Sequence, residues 1–472
     1  LIMLFKNLTK FKSQIAIIED KTVIKYSDLI ADLQDVCKKI DKKKKLFFIL
    51  TENSYDFIKL YISLIKLGNV VFLVDIKIDQ ALLVKLVKDY KPNYLCAPKT
   101  YDYKKKNNCF NINSYEVIKI SPYIHKFNSD LQLLLPTSGT TGSSKLVMLT
   151  KKNIYKNTVD IIKYLKLNKD DKILTSLPFH YSYGLSILNT HLMSGGKIIL
   201  FKGSMISKDF QNIFNEKKIN CYYGVPENYE IIKRLNLKTA KNFFKFFAIA
   251  GGKISKITLM KLLEMAEKFN FKIYNMYGQT EASPRISYSK YKKKRDRESI
   301  FTVGKAFGGG KIYIKQNGKI LKKNETGKIY YKGLNVMLGY AKSYKDFNKK
   351  RNNKFLIATG DLGFIDKNNN LNIVGRSDRY IKLDSERISL NQVENLLKEK
   401  FINNYYVVYM HNKLNIFSDD NKTLKIVTKY LVKKTNIKRN YIKAFDNYDI
   451  SYLSNGKVDY LKIKNYLLLN ET

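Results

Sequence analysis

The sequence predicts an α/β protein: a large layered α/β domain with a β-rich subdomain toward its end, then a small α+β domain at the C-terminus. Three features carry this reading. Amphipathic helical segments alternate with short apolar runs from Tyr26 to Gly278. Short alternating strands with Asn-Gly and Thr-Gly turns begin from about residue 300. A compact helical pattern, "NQVENLLKEKF", then follows a Gly- and Asn-rich stretch.

In chain order, "YSDLIADLQDVCKKI" has apolar residues at helical spacing and "KLFFILT" is a buried strand. "SYDFIKLYISLIKLG" is a helix ended by Gly68, "NVVFLVD" a second strand, and "DQALLVKLVKDYKP" a helix stopped by Pro92. The alternation returns with "SKDFQNIFNEKKIN" before "CYYGVP" and "ITLMKLLEMAEKFN" before "FKIYNMYG". Such a chain places ligand loops at strand ends. "GKIYIKQNGKILKKNETGKIYYKG" reads as hairpins. A domain boundary is expected near Gly375–Asp378, giving an N-terminal domain 1–375 and a C-terminal domain 376–472.

At 472 residues and 44% apolar content, the chain can bury a sizeable core. Its four cysteines stand far apart without a CxxC pair, and its four histidines form no ligand spacing. That argues against a zinc site or a disulfide framework and suits a reducing cytoplasm. Lys66 interrupts the most apolar stretch, so no transmembrane segment is expected. The N-terminus lacks the pattern of a secretory signal. Leu1 in place of Met suggests an alternative start codon or a trimmed chain.

The formal charge is +45, from 86 basic and 41 acidic residues. Lys-, Asn-, Ile-, Tyr- and Phe-rich composition without Trp is what drift in an AT-rich genome produces. The basic runs 42–45, 104–106 and 292–295 lie far apart, so they read as solvated lysines and no specific nucleic-acid partner is expected. The charge would still attract acidic partners.

"TSGTTGSSK", residues 137–145, follows the apolar run "LQLLL". Glycines admit a ligand to the backbone, hydroxyls donate hydrogen bonds and a lysine supplies charge, which is what a polyphosphate needs. The spacing is not that of a Walker loop, because Ser144 stands where the second glycine belongs and Leu146 follows Lys145. Taken alone, the stretch also reads as a polar turn between strands.

Further motifs resolve this. The loop resembles the (S/T)SGTTGxPK signature of the adenylate-forming enzymes: acyl- and aryl-CoA synthetases, peptide-synthetase adenylation domains and luciferase. Ser144 replaces its proline. "AIAGGKIS", "YGQTEAS", "ATGDLGFID", "GRSDRYIKLDSERISLNQVENLL" and "LSNGKVDYLKI" resemble the family's later motifs, in order. The resemblance spans nearly the whole chain. It implies ATP- and Mg2+-dependent activation of a carboxylic acid to an acyl-adenylate, then transfer to a thiol.

Residue by residue, the resemblance gives Thr137, Ser138, Gly139, Thr140, Thr141, Gly142 and Lys145 the β- and γ-phosphates. Thr280 takes the α-phosphate and Glu281 the Mg2+ ion, a hard cation that prefers oxygen. Gly251 and Gly252 admit the adenine, Tyr277 stacks on it, and Gly278 belongs to the same nucleotide-binding motif. Asp361 accepts from the ribose hydroxyls, with Arg376 nearby. Lys457 bridges the substrate carboxylate and the α-phosphate, and Asp378 is the hinge of a mobile C-terminal domain. Ser385 departs from the family's glycine in the segment that lines the thiol's path.

"FHYS" places His180 where amino-acid-activating relatives carry an Asp for the substrate ammonium. A fatty or aromatic acid is therefore favoured over an α-amino acid, with His180 gating the pocket and Tyr181, Tyr183, Val225 and Gln279 as walls. An acidic residue beside His180 would favour the rival, amino-acid loading of a peptide-synthetase carrier. The thiol is that of CoA or of phosphopantetheine on an acidic acyl carrier protein. A non-catalytic ATP binder and a basic nucleic-acid-binding protein are the remaining alternatives.

Overall fold

The computed structural model describes residues 4–470 other than 42, 104–108, 137–144, 204, 217, 234–242, 384–385, 402, 419–423, 436, 446–447 and 454–457. Thr137, Ser138, Gly139, Thr140, Thr141, Gly142, Ser385 and Lys457 therefore lie outside the described residues. The chain packs as two compact units, Leu1–Ile312 with Tyr331–Ile357, and Tyr313–Tyr330 with Ala358–Thr472.

The first unit holds an eight-stranded sheet in the order Gly339–Ala341, Leu146–Thr150, Leu131–Pro136, Val70–Asp75, Leu46–Thr51, Tyr94–Pro98, Tyr115–Lys119 and Cys109–Ile112. Its four central strands are parallel. "LFFILT" is buried at every position, as a strand covered on both faces requires. Crossover helices Tyr55–Lys66 and Gln80–Tyr90 join the first three parallel strands. Ser54 and Asp79 cap them by accepting the amides of Phe57 and Leu82.

A five-stranded sheet follows the same logic: Cys221–Gly224, Phe246–Ile249 and Lys272–Gly278 run parallel, and Arg285–Tyr291 and Lys305–Ala306 turn back antiparallel. Helix Lys256–Phe269 buries Leu259, Leu262, Leu263 and Ala266 against a cluster with Phe247 and Ile273. Each fully buried Leu, Ile or Phe there contributes roughly 1.5–3 kcal/mol. A third sheet, of four strands, joins Lys172–Leu174, Lys197–Leu200, Ile15–Glu19 and Thr22–Lys25.

The second unit contains the expected hairpins. Lys311–Gln316 pairs with Lys319–Ile320 across Asn317 and Gly318, both at positive φ, the backbone an Asn-Gly turn supplies. Tyr380–Leu383 pairs with Glu386–Ser389, leading into helix Leu390–Lys400. Val393 and Leu397 of that helix pack with Val407, Ile416 and Leu431. Among the described residues, no helix is long and apolar enough to cross a membrane.

Candidate active site

The described motif residues of the first unit gather at the C-terminal ends of parallel strands, where side chains from separate loops converge. Lys272–Gly278 ends in a single 3-10 turn, Thr280–Ala282. Thr280 is buried, and its Oγ1 lies 3.2 Å from the hydroxyl of Ser182. Tyr277 is buried on the preceding strand. Gly278 has a clear steric reason: a β-carbon there would stand 1.7 Å from the carbonyl oxygen of Pro284. Its immediate task is to let the chain fold back on itself beside Thr280.

Glu281 is held from a distant part of the chain. Its Oε1 accepts from the hydroxyl of Tyr340 at 2.8 Å, and its carbonyl accepts the amide of Met337 at 2.8 Å. Tyr340 stands on the edge strand Gly339–Ala341, which pairs with Leu146–Thr150. The Lys145 Nζ lies 3.3 Å from the centre of the Tyr340 ring, a close cation–π contact. One aromatic side chain thus connects the phosphate-loop lysine to the motif glutamate. Asn335 fastens the same turn, donating to the carbonyls of Ala282 (2.6 Å) and Arg285 (2.7 Å).

Gly251 and Gly252 follow strand Phe246–Ile249 and are exposed. Gly251 takes φ +90, and a β-carbon on it would meet Val225 at 3.1 Å. His180 is buried where two central strands end. Its Nδ1 lies 3.1 Å from Oγ1 of Thr51, and its Nε2 lies 3.5 Å from Oδ2 of Asp75. Burial lowers its pKa while Asp75 works in the opposite direction, so the imidazole is neutral at pH 7.

Asp361 and Arg376 belong to the second unit. They face each other across the antiparallel pair Leu356–Ile365 and Leu371–Arg376, with Oδ1 and Nη1 at 4.0 Å. Gly360 takes φ +82, and its carbonyl accepts from Ser377 Oγ at 2.9 Å. Thr359 Oγ1 accepts the Asp361 amide and donates to the carbonyl of Ile329, each at 3.1 Å. The Thr-Gly-Asp stretch is therefore a braced turn that aims a buried carboxylate.

Sequence reasoning missed Ser182 and Tyr340. Tyr340 stands in "LNVMLGYAKS", which carries no charge pattern or spacing that marks it.

The converging strand-end loops, the hydroxyl and carboxylate turn and the phosphate-type loop sequence define a nucleotide-activating α/β enzyme. The chain belongs to the AMP-binding enzyme family, whose sequence profile matches residues 5–341. It is 26% identical over 394 residues to a 2-succinylbenzoate–CoA ligase of Oceanobacillus iheyensis, covering 80% of this chain and 79% of that protein. It is 27% identical over 274 residues to an oxalate–CoA ligase of Saccharomyces cerevisiae, covering 57% of this chain but only 49% of that protein. The fold is shared with O-succinylbenzoate coenzyme A synthetase (MenE) of Bacillus subtilis in complex with AMP, at TM-score 0.79, 19% identity and 98% coverage of both chains. ATP-bound MatB of Rhodopseudomonas palustris matches at TM-score 0.79 and 18% identity, again over 98% of each.

Proposed function

We propose that the protein joins a carboxylic acid to the α-phosphate of ATP and then passes the acyl group to the thiol of coenzyme A. The observation that carries this reading is the Thr280–Glu281 turn, tied through Tyr340 to Lys145 at the strand ends of an AMP-binding-family chain. The two relatives described above are named as an oxalate–CoA ligase and a 2-succinylbenzoate–CoA ligase.

In the first step a carboxylate oxygen attacks the α-phosphorus, and the bond to the β-phosphate oxygen breaks, releasing pyrophosphate. Attack of one anion on another needs positive charge and alignment more than acid–base work. Lys145 and the hydroxyl-rich loop 137–142 would hold the β- and γ-phosphates, Thr280 the α-phosphate, and Lys457 would bridge α-phosphate and carboxylate. Tyr277, Gly251 and Gly252 would receive the adenine, and Asp361 with Arg376 the ribose. In the second step the thiol sulfur attacks the acyl carbonyl carbon and AMP leaves.

Glu281 would hold Mg2+, which when bound supplies Lewis-acid charge to the phosphate oxygens. The oxygen-only chemistry of Glu281 and Thr280 fits a hard cation. Among the described residues, no three His, Cys, Asp or Glu converge on one point. A Mg2+ ion shared with nucleotide phosphates requires only one protein carboxylate.

Rotation of residues 376–472 about Asp378 would exchange the Lys457 face for the thiol-transfer face, with Ser385 on the thiol's path. The phosphopantetheine arm of an acidic carrier protein presents the same thiol as CoA and is the alternative acceptor. The free thiols Cys37, Cys96 and Cys221 suit a reducing compartment, so we place the reaction in the cytoplasm.

One observation favours a second reading. Asp75 is the acidic residue beside His180 that an amino-acid substrate would call for. Acid-dependent exchange of labelled pyrophosphate into ATP, with fatty, aromatic, dicarboxylic and amino acids, tests both. Exchange with non-amino acids alone supports the ligase reading, and exchange with α-amino acids alone supports carrier loading. Silence across the panel with ATP binding intact refutes acid activation.

A further inference from the structure

Arg285 is only 2% exposed, yet no carboxylate among the described residues lies within ion-pair distance of it. Its Nε is buried without a hydrogen-bond partner, and the side-chain hydrogen bond it does make is to a phenol, that of Tyr164. What it has is aromatic: its guanidinium carbon lies 5.1 Å from the centre of the Tyr183 ring. Tyr164 stands near enough for the cation to oppose the burial that raises that phenol's pKa.

Elsewhere the protein pairs its buried cations. Lys59, also 2% exposed, has Asp56 at 2.8 Å and Asp32 at 3.5 Å, and Arg379 has Glu394 at 2.6 Å. A cation withdrawn from water without an anion is costly, and a permanent charge such as guanidinium cannot escape by losing its proton. An anion supplied from outside removes that cost.

The location is specific. Arg285 begins the strand that returns from the Thr280–Glu281 turn, and Tyr183 follows Ser182, whose hydroxyl lies beside Thr280. The Arg285 amide donates to Oδ1 of Asn157 at 3.3 Å. Asn157, Ser182, Ser186 and Ser283 line one cavity with apolar leucines. Arg285 does not line that cavity itself: its backbone is tied to Asn157, which does, and its guanidinium lies against Tyr183, the residue after Ser182.

We propose that Arg285 is a specificity-determining residue that binds a second anionic group of the acid substrate, so that the enzyme selects dicarboxylic acids. This rests on the acid-activation reading. A guanidinium matches a carboxylate in shape, donating two parallel hydrogen bonds to its oxygens, and burial strengthens the pair. A monocarboxylic acid of the same skeleton leaves the charge unmet and binds more weakly.

The test compares acids in matched pairs: glutarate with pentanoate, adipate with hexanoate, phthalate with benzoate. Pyrophosphate release is measured for the wild type, Arg285→Leu and Arg285→Lys. The wild type should favour the diacid in at least one pair by about 10- to 100-fold in kcat/KM, as for a hydrogen-bonded charge. Arg285→Leu should lose that factor with the diacid while its rate with the monoacid changes little, and Arg285→Lys should keep part of it.

A wild type that favours the monoacid in every pair overturns the proposal without any variant. So does an Arg285→Leu enzyme that loses rate equally with both members of a pair, which would make Arg285 a packing residue or a partner of the reacting carboxylate. Stabilisation against heat by the same acids without ATP is a second readout. If the wild type releases no pyrophosphate with any acid, acid activation fails. Selective stabilisation of the wild type by diacids would then still establish the anion site, and its absence would refute it.

Discussion

The hydroxyl of Tyr340 donates to Oε1 of Glu281 at 2.8 Å, while the same ring lies 3.3 Å from the Lys145 ammonium. Two groups expected to handle phosphate and Mg2+ are therefore set by one side chain that touches both. Tyr340→Phe keeps the ring beneath Lys145 but removes the donor to Glu281. Acid-dependent pyrophosphate exchange should fall about 10- to 100-fold, the worth of a hydrogen bond to a charged group, with a higher Mg2+ requirement. An unchanged rate and Mg2+ dependence would show that Glu281 orients itself.

Lys457→Ala should separate the two half-reactions. Removing a positioned charge at the transition state costs about 10²- to 10³-fold in adenylation. Transfer from a chemically prepared acyl-adenylate to CoA should continue. Equal loss of both steps would refute the bridging role.

His191 predicts a pH dependence of stability. It is fully buried, its Nδ1 lies 3.1 Å from the carbonyl of Ile187, and burial lowers its pKa from 6.5 to about 4. The unfolded chain binds this proton more readily than the folded one. The contribution is therefore complete above pH 6.5 and is lost as pH falls toward 4, by about 3 kcal/mol. Denaturant midpoints should drop across that window in the wild type and drop less in His191→Phe.

Glu394 joins three elements of the second unit. Its Oε1 accepts from Arg379 Nη2 at 2.6 Å, from the Tyr460 hydroxyl at 2.8 Å and from the Val407 amide at 2.7 Å. Glu394→Ala strands the half-buried Arg379 and should destabilise this unit by about 1.5–3 kcal/mol, the worth of hydrogen bonds to a charged group, whereas Arg379→Met with Glu394→Leu should recover most of that. Urea unfolding distinguishes the two. A single variant as stable as the wild type would mean that water replaces the carboxylate.

The layered α/β class, the parallel strands and the Asn317-Gly318 hairpin were legible because each is written in local periodicity or turn chemistry. Glu281 and Thr280 were legible because their motif is contiguous. Gly278 was read for its motif alone, and its steric role emerges only where Pro284 comes back against it. His180 was placed as a pocket gate. Its contacts with Thr51 and Asp75 depend on how two distant strands end side by side.

By itself the sequence determined which segments are helix and strand, and where the hydroxyls, glycines and charges of a nucleotide-activating enzyme lie along the chain. Those properties depend on near neighbours and survive in a one-dimensional reading. The tertiary structure alone decided that Tyr340 serves both Glu281 and Lys145, and that Arg285 is enclosed with no carboxylate among the described residues to meet its charge. Partnership and solvation are set by everything that packs around a group. Glu281 and Tyr340 are 59 positions apart in sequence and one hydrogen bond apart in space.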